Sequence, residues 1–351
     1  YRYLQRPGFA AFTPKAVLFD MDGVLMNSMP NHAIAWQRSM ASFGLKMTEA
    51  DAYATEGARG IDTIRNLMKA QTGKIITLEE HYADQRIMDA NHASQVNRPP
   101  MSPERAEAMK FLMSRSFPGP ELLDFEKRLQ YMDENRIDVQ VLSVTSPVSD
   151  LVPAEEAVRI CRQANDITKQ HMDEYPGRFL GFAALPMADP EAAAEELERC
   201  VKELGFCGAM LAGRYKGRFY NEAEFFPIFE KAAELNVPIY FHPALIPMEV
   251  QEAYYMSDAY SYVVGSELAS AGYGWHSEVG IQIMRMILSG IFDRLPNLTF
   301  ISGHWGETIP AFLDRMDIIL DQEITGLKKS LRVLQGACLY HAKRHHVHRP
   351  A

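Results

Sequence analysis

The chain has only four cysteines in 351 residues, Cys161, Cys200, Cys207 and Cys338, and no pair of them forms C-x-x-C. So sparse and scattered a set excludes a disulfide scaffold and implies thiols kept reduced. No apolar run approaches the ~18 residues that a membrane span needs. Arg2, Gln5, Arg6 and Pro7 interrupt the first residues, so no secretory signal is expected there, and the cytoplasm is the expected location. Positive charge is also short, with 36 Lys and Arg against 45 Asp and Glu, a formal net charge of −9. Nucleic acids and anionic membranes reward a basic face, so neither is an expected partner. Internal repeats and low-complexity tracts are absent as well.

What is present is an ordinary globular composition, 47% hydrophobic and 23% charged. The length exceeds a domain of ~100–200 residues, although α/β barrels run to about 250 as one unit. The pattern divides into three pieces: residues 1–73, 74–330 and 331–351. The middle piece alternates apolar β-type runs with helical periodicity. Its strand candidates are Lys74–Glu79, Val139–Thr145, Arg178–Leu185, Phe206–Ala212, Val237–His242 and Leu298–His304. Glu191–Leu204 and Ala223–Leu235 carry a 3.6-residue period, and Asp189-Pro190 opens the first of these helices. Buried strands alternating with helices imply a parallel sheet. The expected fold is therefore α/β, an incomplete (β/α)8 barrel in which six of eight strands are recognisable. Met88–Pro120 and Met248–Gly274 read as long loops, equally compatible with lids over a barrel mouth and with surface insertions.

Chemistry concentrates at strand ends. Leu78-Glu79-Glu80-His81 follows the first strand candidate, and strict alternation would put Glu79 and His81 on one side of the chain. Ile239-Tyr-Phe-His242-Pro243 ends the fifth, and Phe300-Ile-Ser-Gly303-His304-Trp-Gly-Glu307 ends the sixth. A single strand-end histidine is more often a hydrogen-bonded structural residue than a ligand. Three at matching ends of parallel strands would meet at one barrel mouth, where imidazole and carboxylate suit Zn²⁺ or Mn²⁺.

Those motifs also carry a family resemblance. Gly73-Lys-Ile-Ile-Thr-Leu-Glu-Glu-His81, Arg178-Phe-Leu-Gly-Phe-Ala-Ala-Leu-Pro186, Val237-Pro-Ile-Tyr-Phe-His-Pro243, Met286-Ile-Leu-Ser-Gly-Ile-Phe-Asp293 and Ile301-Ser-Gly-His-Trp-Gly-Glu307 occur in the order found in the amidohydrolase-related decarboxylases. This group includes the γ-resorcylate, 2,3-dihydroxybenzoate and aminocarboxymuconate semialdehyde decarboxylases, and the resemblance extends from about Gly73 to Asp317. It implies that Glu79, His81 and His242 are ligands of a divalent metal, Zn²⁺ or Mn²⁺. It implies that His304 and Glu307 orient substrate and handle protons, and that Arg315 lies at a substrate or subunit contact. The implied reaction is non-oxidative removal of CO₂ from a hydroxylated aromatic acid, usually by a homo-oligomer. A hydrolase or hydratase of the same family, or a catalytically inactive fusion, is the alternative.

Two stretches fall outside that resemblance. Ala16-Val-Leu-Phe-Asp20-Met-Asp22-Gly-Val-Leu25 resembles the opening motif of the haloacid dehalogenase superfamily, and Asn27–Gln71 resembles the start of its phosphoglucomutase-type cap. In a working phosphatase Asp20 would be the nucleophile and Asp22 the acid/base, with Mg²⁺ beside them. About 70 residues cannot hold that sheet, so a relic without phosphatase activity is expected. The family's further Asp ligand, after an eighth strand, has no counterpart beyond Lys329. Val333–Pro350 instead crowds basic residues with His341, His345, His346 and His348, and an unstructured frameshift product is expected in preference to a metal tract.

Overall fold

The computed structural model describes residues 46–54, 73–94, 102–116, 122, 124–144 and 148–309, with scattered positions within 33–71 and 312–319. The chain divides into two compact units, Tyr1–Gly73 and Lys74–Ala351. In the first, helix α1 (Glu49–Ala54) begins with a reciprocal cap. Thr48 Oγ1 accepts from the Asp51 amide at 3.1 Å, and Asp51 Oδ2 accepts from the Thr48 amide at 2.8 Å. Ala33, Met40, Met47 and Ala52 form a small apolar cluster. The Asp20-Met-Asp22 motif and the histidine-rich 331–351 segment lie outside the described residues.

The second unit contains β1 (Ile76–Tyr82), α2 (Gln85–Ser94), α3 (Pro103–Ser116), α4 (Phe125–Glu134), β2 (Val139–Val144), α5 (Ala154–Glu174) and β3 (Phe179–Ala183). It continues through α6 (Pro190–Lys202), β4 (Gly208–Ala212), α7 (Phe226–Leu235), β5 (Pro238–His242), α8 (Met248–Tyr255), α9 (Tyr262–Glu267), α10 (Gly274–Leu288), α11 (Ile291–Arg294) and β6 (Thr299–Ser302). All six strands are parallel, and their spatial order is the sequence order β1-β2-β3-β4-β5-β6. A doubly wound sheet reverses its strand order at a switch point. No reversal occurs here, so the described sheet is consistent with part of a barrel, each helix returning the chain to the next strand.

Local signals account for the helices. Asp189 caps α6 by accepting from the Ala192 amide at 3.1 Å, with Pro190 at the first helical position. Asp124 likewise accepts from the Glu126 and Lys127 amides at the start of α4. Asn236 ends α7 in the left-handed conformation that asparagine tolerates. Ala193, Leu197 and Cys200 of α6 and Ile228, Phe229 and Ala232 of α7 are fully buried against Leu211, Ile239 and Phe241 of the sheet. Each large side chain so buried stabilises the fold by about 1.5–3 kcal/mol.

Three expectations need correction. β1 starts at Ile76 and runs to Tyr82, so Glu79 and His81 lie within the strand and do not follow it. Met88–Pro120 holds most of α2 and all of α3, and Met248–Gly274 holds α8, α9 and a π-type segment, Leu268–Gly272. Neither stretch is one long loop. Pro103, within the first stretch, opens α3, and Pro247, just before the second, precedes α8, positions where a missing N–H costs nothing.

Candidate metal centre

The sheet brings Glu79, His81, Tyr240, His242 and His304 together at its C-terminal edge. A register shift between Thr77 and Glu80 interrupts the β1–β2 ladder, and Glu79 sits in it with φ +64°. This bulge, not strict alternation, turns the Glu79 carboxylate toward the histidines. His81 stands opposite Ser143 in the ladder, and its Nδ1 lies 2.9 Å from Ser143 Oγ. His242 is the last residue of β5; its Nδ1 donates to the carbonyl of Pro243 at 2.6 Å. His304 follows β6, with φ +42°, in a short 3₁₀ turn.

Glu79 Oε1 is the hub. It lies 3.0 Å from His242 Nε2, 2.9 Å from His304 Nε2 and 3.9 Å from His81 Nε2. Tyr240 donates its hydroxyl proton to the other oxygen, Oε2. Burial pushes the Glu79 carboxyl up, but the hydrogen bonds from His242, His304 and Tyr240 outweigh it and hold the group well below the usual carboxylate range. Burial, reinforced by the charge of His242, brings His81 down to about 4. Hydrogen bonds to Glu307 and Glu79 raise His304 to about 10.

These residues fit a divalent cation. A carbonyl can only accept, so the Pro243 contact keeps a proton on His242 Nδ1 and leaves Nε2 as the nitrogen that can exchange its proton for a metal ion. That nitrogen faces His81 Nε2 at 3.1 Å and the anionic Glu79 oxygen at 3.0 Å. Electron pairs converging at such distances favour a shared cation, and mixed imidazole–carboxylate donors suit Zn²⁺ or Mn²⁺. Partners on the remote ring nitrogens, as here, are what orients histidine ligands. One ligand atom each from Glu79, His242 and His304 falls within 4.8 Å of the others, and so does one each from His276, His304 and Glu307.

A second layer supports the first. Glu307 is wholly buried; its Oε1 lies 2.7 Å from His304 Nδ1 and its Oε2 2.8 Å from His276 Nδ1. Glu307 and Thr308 have φ of +52° and +66°, so four of the site's non-glycine residues, with Glu79 and His304, occupy the left-handed region. Each such placement costs of order 1–3 kcal/mol and persists only where the surroundings enforce it. On the opposite side of β1, buried Arg128 of α4 donates to the carbonyl of His81 and, at 3.1 Å, to Gln140 Oε1. Gln140 in turn donates to Glu80 Oε2 at 2.8 Å. Gly303 permits a close approach: a Cβ there would lie 2.3 Å from the Tyr240 hydroxyl.

The family model described as amidohydrolase matches residues 118–333. A decarboxylase of Emericella nidulans, orsB, is 33% identical over 246 residues, covering 70% of this chain and 69% of that protein. The chain belongs to the amidohydrolase family. Another relative is the gamma-resorcylate decarboxylase of Polaromonas sp., 34% identical over 69% of this chain and 70% of its own length. Among solved structures, 5-carboxyvanillate decarboxylase of Novosphingobium aromaticivorans, complexed with manganese and 4-hydroxy-3-methoxy-5-nitrobenzoic acid, superposes with a TM-score of 0.62. It is 28% identical, over 75% of this chain and 74% of its own.

Within this amidohydrolase, five of the six residues singled out from the sequence, Glu79, His81, His242, His304 and Glu307, lie in one hydrogen-bonded cluster. The sixth, Arg315, is an exposed helical position, and no hydrogen bond or ion pair among the described residues ties it to that cluster. Sequence reasoning missed Tyr240, Ser143, His276 and Arg128. Tyr240 had a signal, since it precedes His242 by two residues in a strand and so shares its face. Ser143 became visible only through the β1–β2 register, and His276 only through the packing of α10. The N-terminal Asp20 and Asp22 lie outside the family match.

Proposed function

We propose that this amidohydrolase is a metal-dependent carbon–carbon lyase that removes CO₂ from a hydroxylated aromatic carboxylic acid. The observation that carries the reading is the convergence of Glu79 with His242, His304 and His81 at one edge of the sheet. The names of the relatives and the manganese of a related structure support it. In this reading Glu79, His81 and His242 hold the ion. When bound, it supplies Lewis acidity and a template for the substrate carboxylate and neighbouring hydroxyl. Manganese is the favoured metal and zinc the alternative.

The remaining chemistry falls to the protein's own groups. His304 Nε2 holds the proton destined for the ring carbon that bears the carboxylate. Protonation there breaks aromaticity; the carbon–carboxylate bond then cleaves, its electron pair restores the ring, and CO₂ leaves. Glu307 fixes the His304 ring through Nδ1 and raises its proton affinity. Beside His242 and Ser143, the side chains of Val144, Phe182, Leu185, Met187 and Leu211 give the site an apolar border. A phosphatase role for Asp20 and Asp22 rests on the motif alone.

The test is incubation of manganese-loaded and zinc-loaded protein with 2,6-dihydroxybenzoate and other mono- and dihydroxybenzoates, measuring released CO₂. Turnover that requires added metal is expected. A metal-loaded protein that releases no CO₂ from any of them, yet hydrates or hydrolyses other carboxylates, would replace lyase with hydratase or hydrolase.

A further inference from the structure

We propose that His276 is a positioning residue for the His304–Glu307 pair; this rests on the decarboxylase reading above. His276 lies in the first turn of α10, immediately after the π-type segment Leu268–Gly272, whose backbone leaves helical geometry at Ser270 with φ −98° and ψ −127°. That break exposes carbonyls which a continuous helix would use internally. One of them, Ala271 O, lies 3.1 Å from His276 Nε2. Carbonyl and carboxylate oxygens both accept, so both contacts are filled when each ring nitrogen carries a proton, Nε2 donating to Ala271 O and Nδ1 to Glu307 Oε2. The ring is thereby fixed with Nδ1 aimed at Glu307 Oε2, 2.8 Å away.

Glu307 has no exposure to water, so its two oxygens depend on their protein partners. His304 satisfies Oε1 and His276 satisfies Oε2. The backbone holds the same arrangement. Gly280, one turn beyond His276 on the same face of α10, lies so close to Glu307 that a Cβ would fall 2.6 Å from its carbonyl oxygen. Helix α10 thus presses onto the Glu307 backbone while His276 clamps its carboxylate. Without His276, Oε2 is buried and unpaired, the carboxylate turns, and His304 Nδ1 loses its fixed acceptor.

The experiment compares His276→Leu with His276→Asn in the full chain. The Asn amide nitrogen falls near the position of Nδ1 and can donate to Oε2. Turnover of 2,6-dihydroxybenzoate by manganese-loaded protein is read with the low-field imidazole proton resonance of His304 Nδ1 in metal-free, ¹⁵N-histidine-labelled protein. His276→Leu should lower kcat by roughly 10–100-fold, the usual cost of losing an outer partner, with KM and bound manganese unchanged. It should also erase or shift the His304 resonance. His276→Asn should restore most of both. Equal losses in the two variants, or a His276→Leu protein that keeps its His304 resonance, would overturn the proposal. Should wild-type protein release no CO₂, the decarboxylase reading fails separately, and the resonance still decides whether His276 positions the pair.

Discussion

His81 and His304 approach the same carboxylate oxygen of Glu79, at 3.9 Å and 2.9 Å, yet their surroundings drive them in opposite directions. His81 is half-buried beside a second imidazole and has a neutral hydroxyl, Ser143 Oγ, on its remote nitrogen; it falls to about 4. His304 stands between two carboxylates and rises to about 10. At neutral pH the first ring offers a lone pair and the second carries a proton. A lone pair is what a metal ligand needs, and a proton is what a general acid needs. In the proposed function one residue type serves both roles, because its neighbours, not its identity, set its charge.

The comparison breaks most completely at the group the two rings share. Glu79→Gln should abolish metal uptake and turnover together, measured as bound manganese per chain and CO₂ release. A variant that keeps a full equivalent of manganese would remove Glu79 from the ligand set. Next, His304→Asn should lower kcat by ~10²–10⁴-fold, the range for loss of a general acid, while manganese content stays at the wild-type level. Metal loss in that variant would mean that His304 is itself a ligand and erase the distinction between the rings.

A smaller effect is expected on the His81 side. Arg128→Met removes the buried guanidinium that holds the His81 carbonyl and Gln140 and lies 3.8 Å from Glu80 Oε2. Loss of one partner from a buried charged network costs about 3 kcal/mol, read as a lower midpoint in urea with unchanged slope. An unchanged midpoint would show that β1 does not depend on α4.

The smallest effect sharpens the comparison through pH. His81 binds protons more weakly in the folded chain than at its ordinary 6.5, so between pH 6.5 and about 4 the unfolded chain holds more protons and stability falls as acid is added. His304 binds them more tightly when folded, so its contribution is complete below 6.5 and is lost as pH rises toward 10. The Tm of metal-free protein should therefore decline on both sides of pH 6.5. His304→Asn should flatten the alkaline limb alone, and His81→Asn should reduce the slope of the acid limb. Identical profiles in both variants would show that the two environments do not differ.

Much of this was legible in the sequence because its physics is periodic. Six apolar runs separated by amphipathic helices gave the parallel sheet, and histidines at strand ends gave its functional edge. What stayed hidden was aperiodic. The bulge that turns Glu79 arises from one irregular step in a ladder, and no residue type announces it. The helices within Met88–Pro120 were masked by prolines that mark helix starts as readily as breaks, and those within Met248–Gly274 by a run rich in Tyr, Ser and Gly. His276 reaches Glu307 across 31 positions through the packing of α10, a distance that no local window spans.

Of the proposed ligands, His242 and His81 also differ in how their remote partners can change by mutation. His242 is oriented by the carbonyl of Pro243, and every amino acid placed at 243 would still bring a carbonyl. His81 is oriented by the hydroxyl of Ser143, which a single substitution deletes. Variation in metal preference among descendants of this chain should therefore enter through position 143, while position 243 can drift without disturbing the ring it steadies.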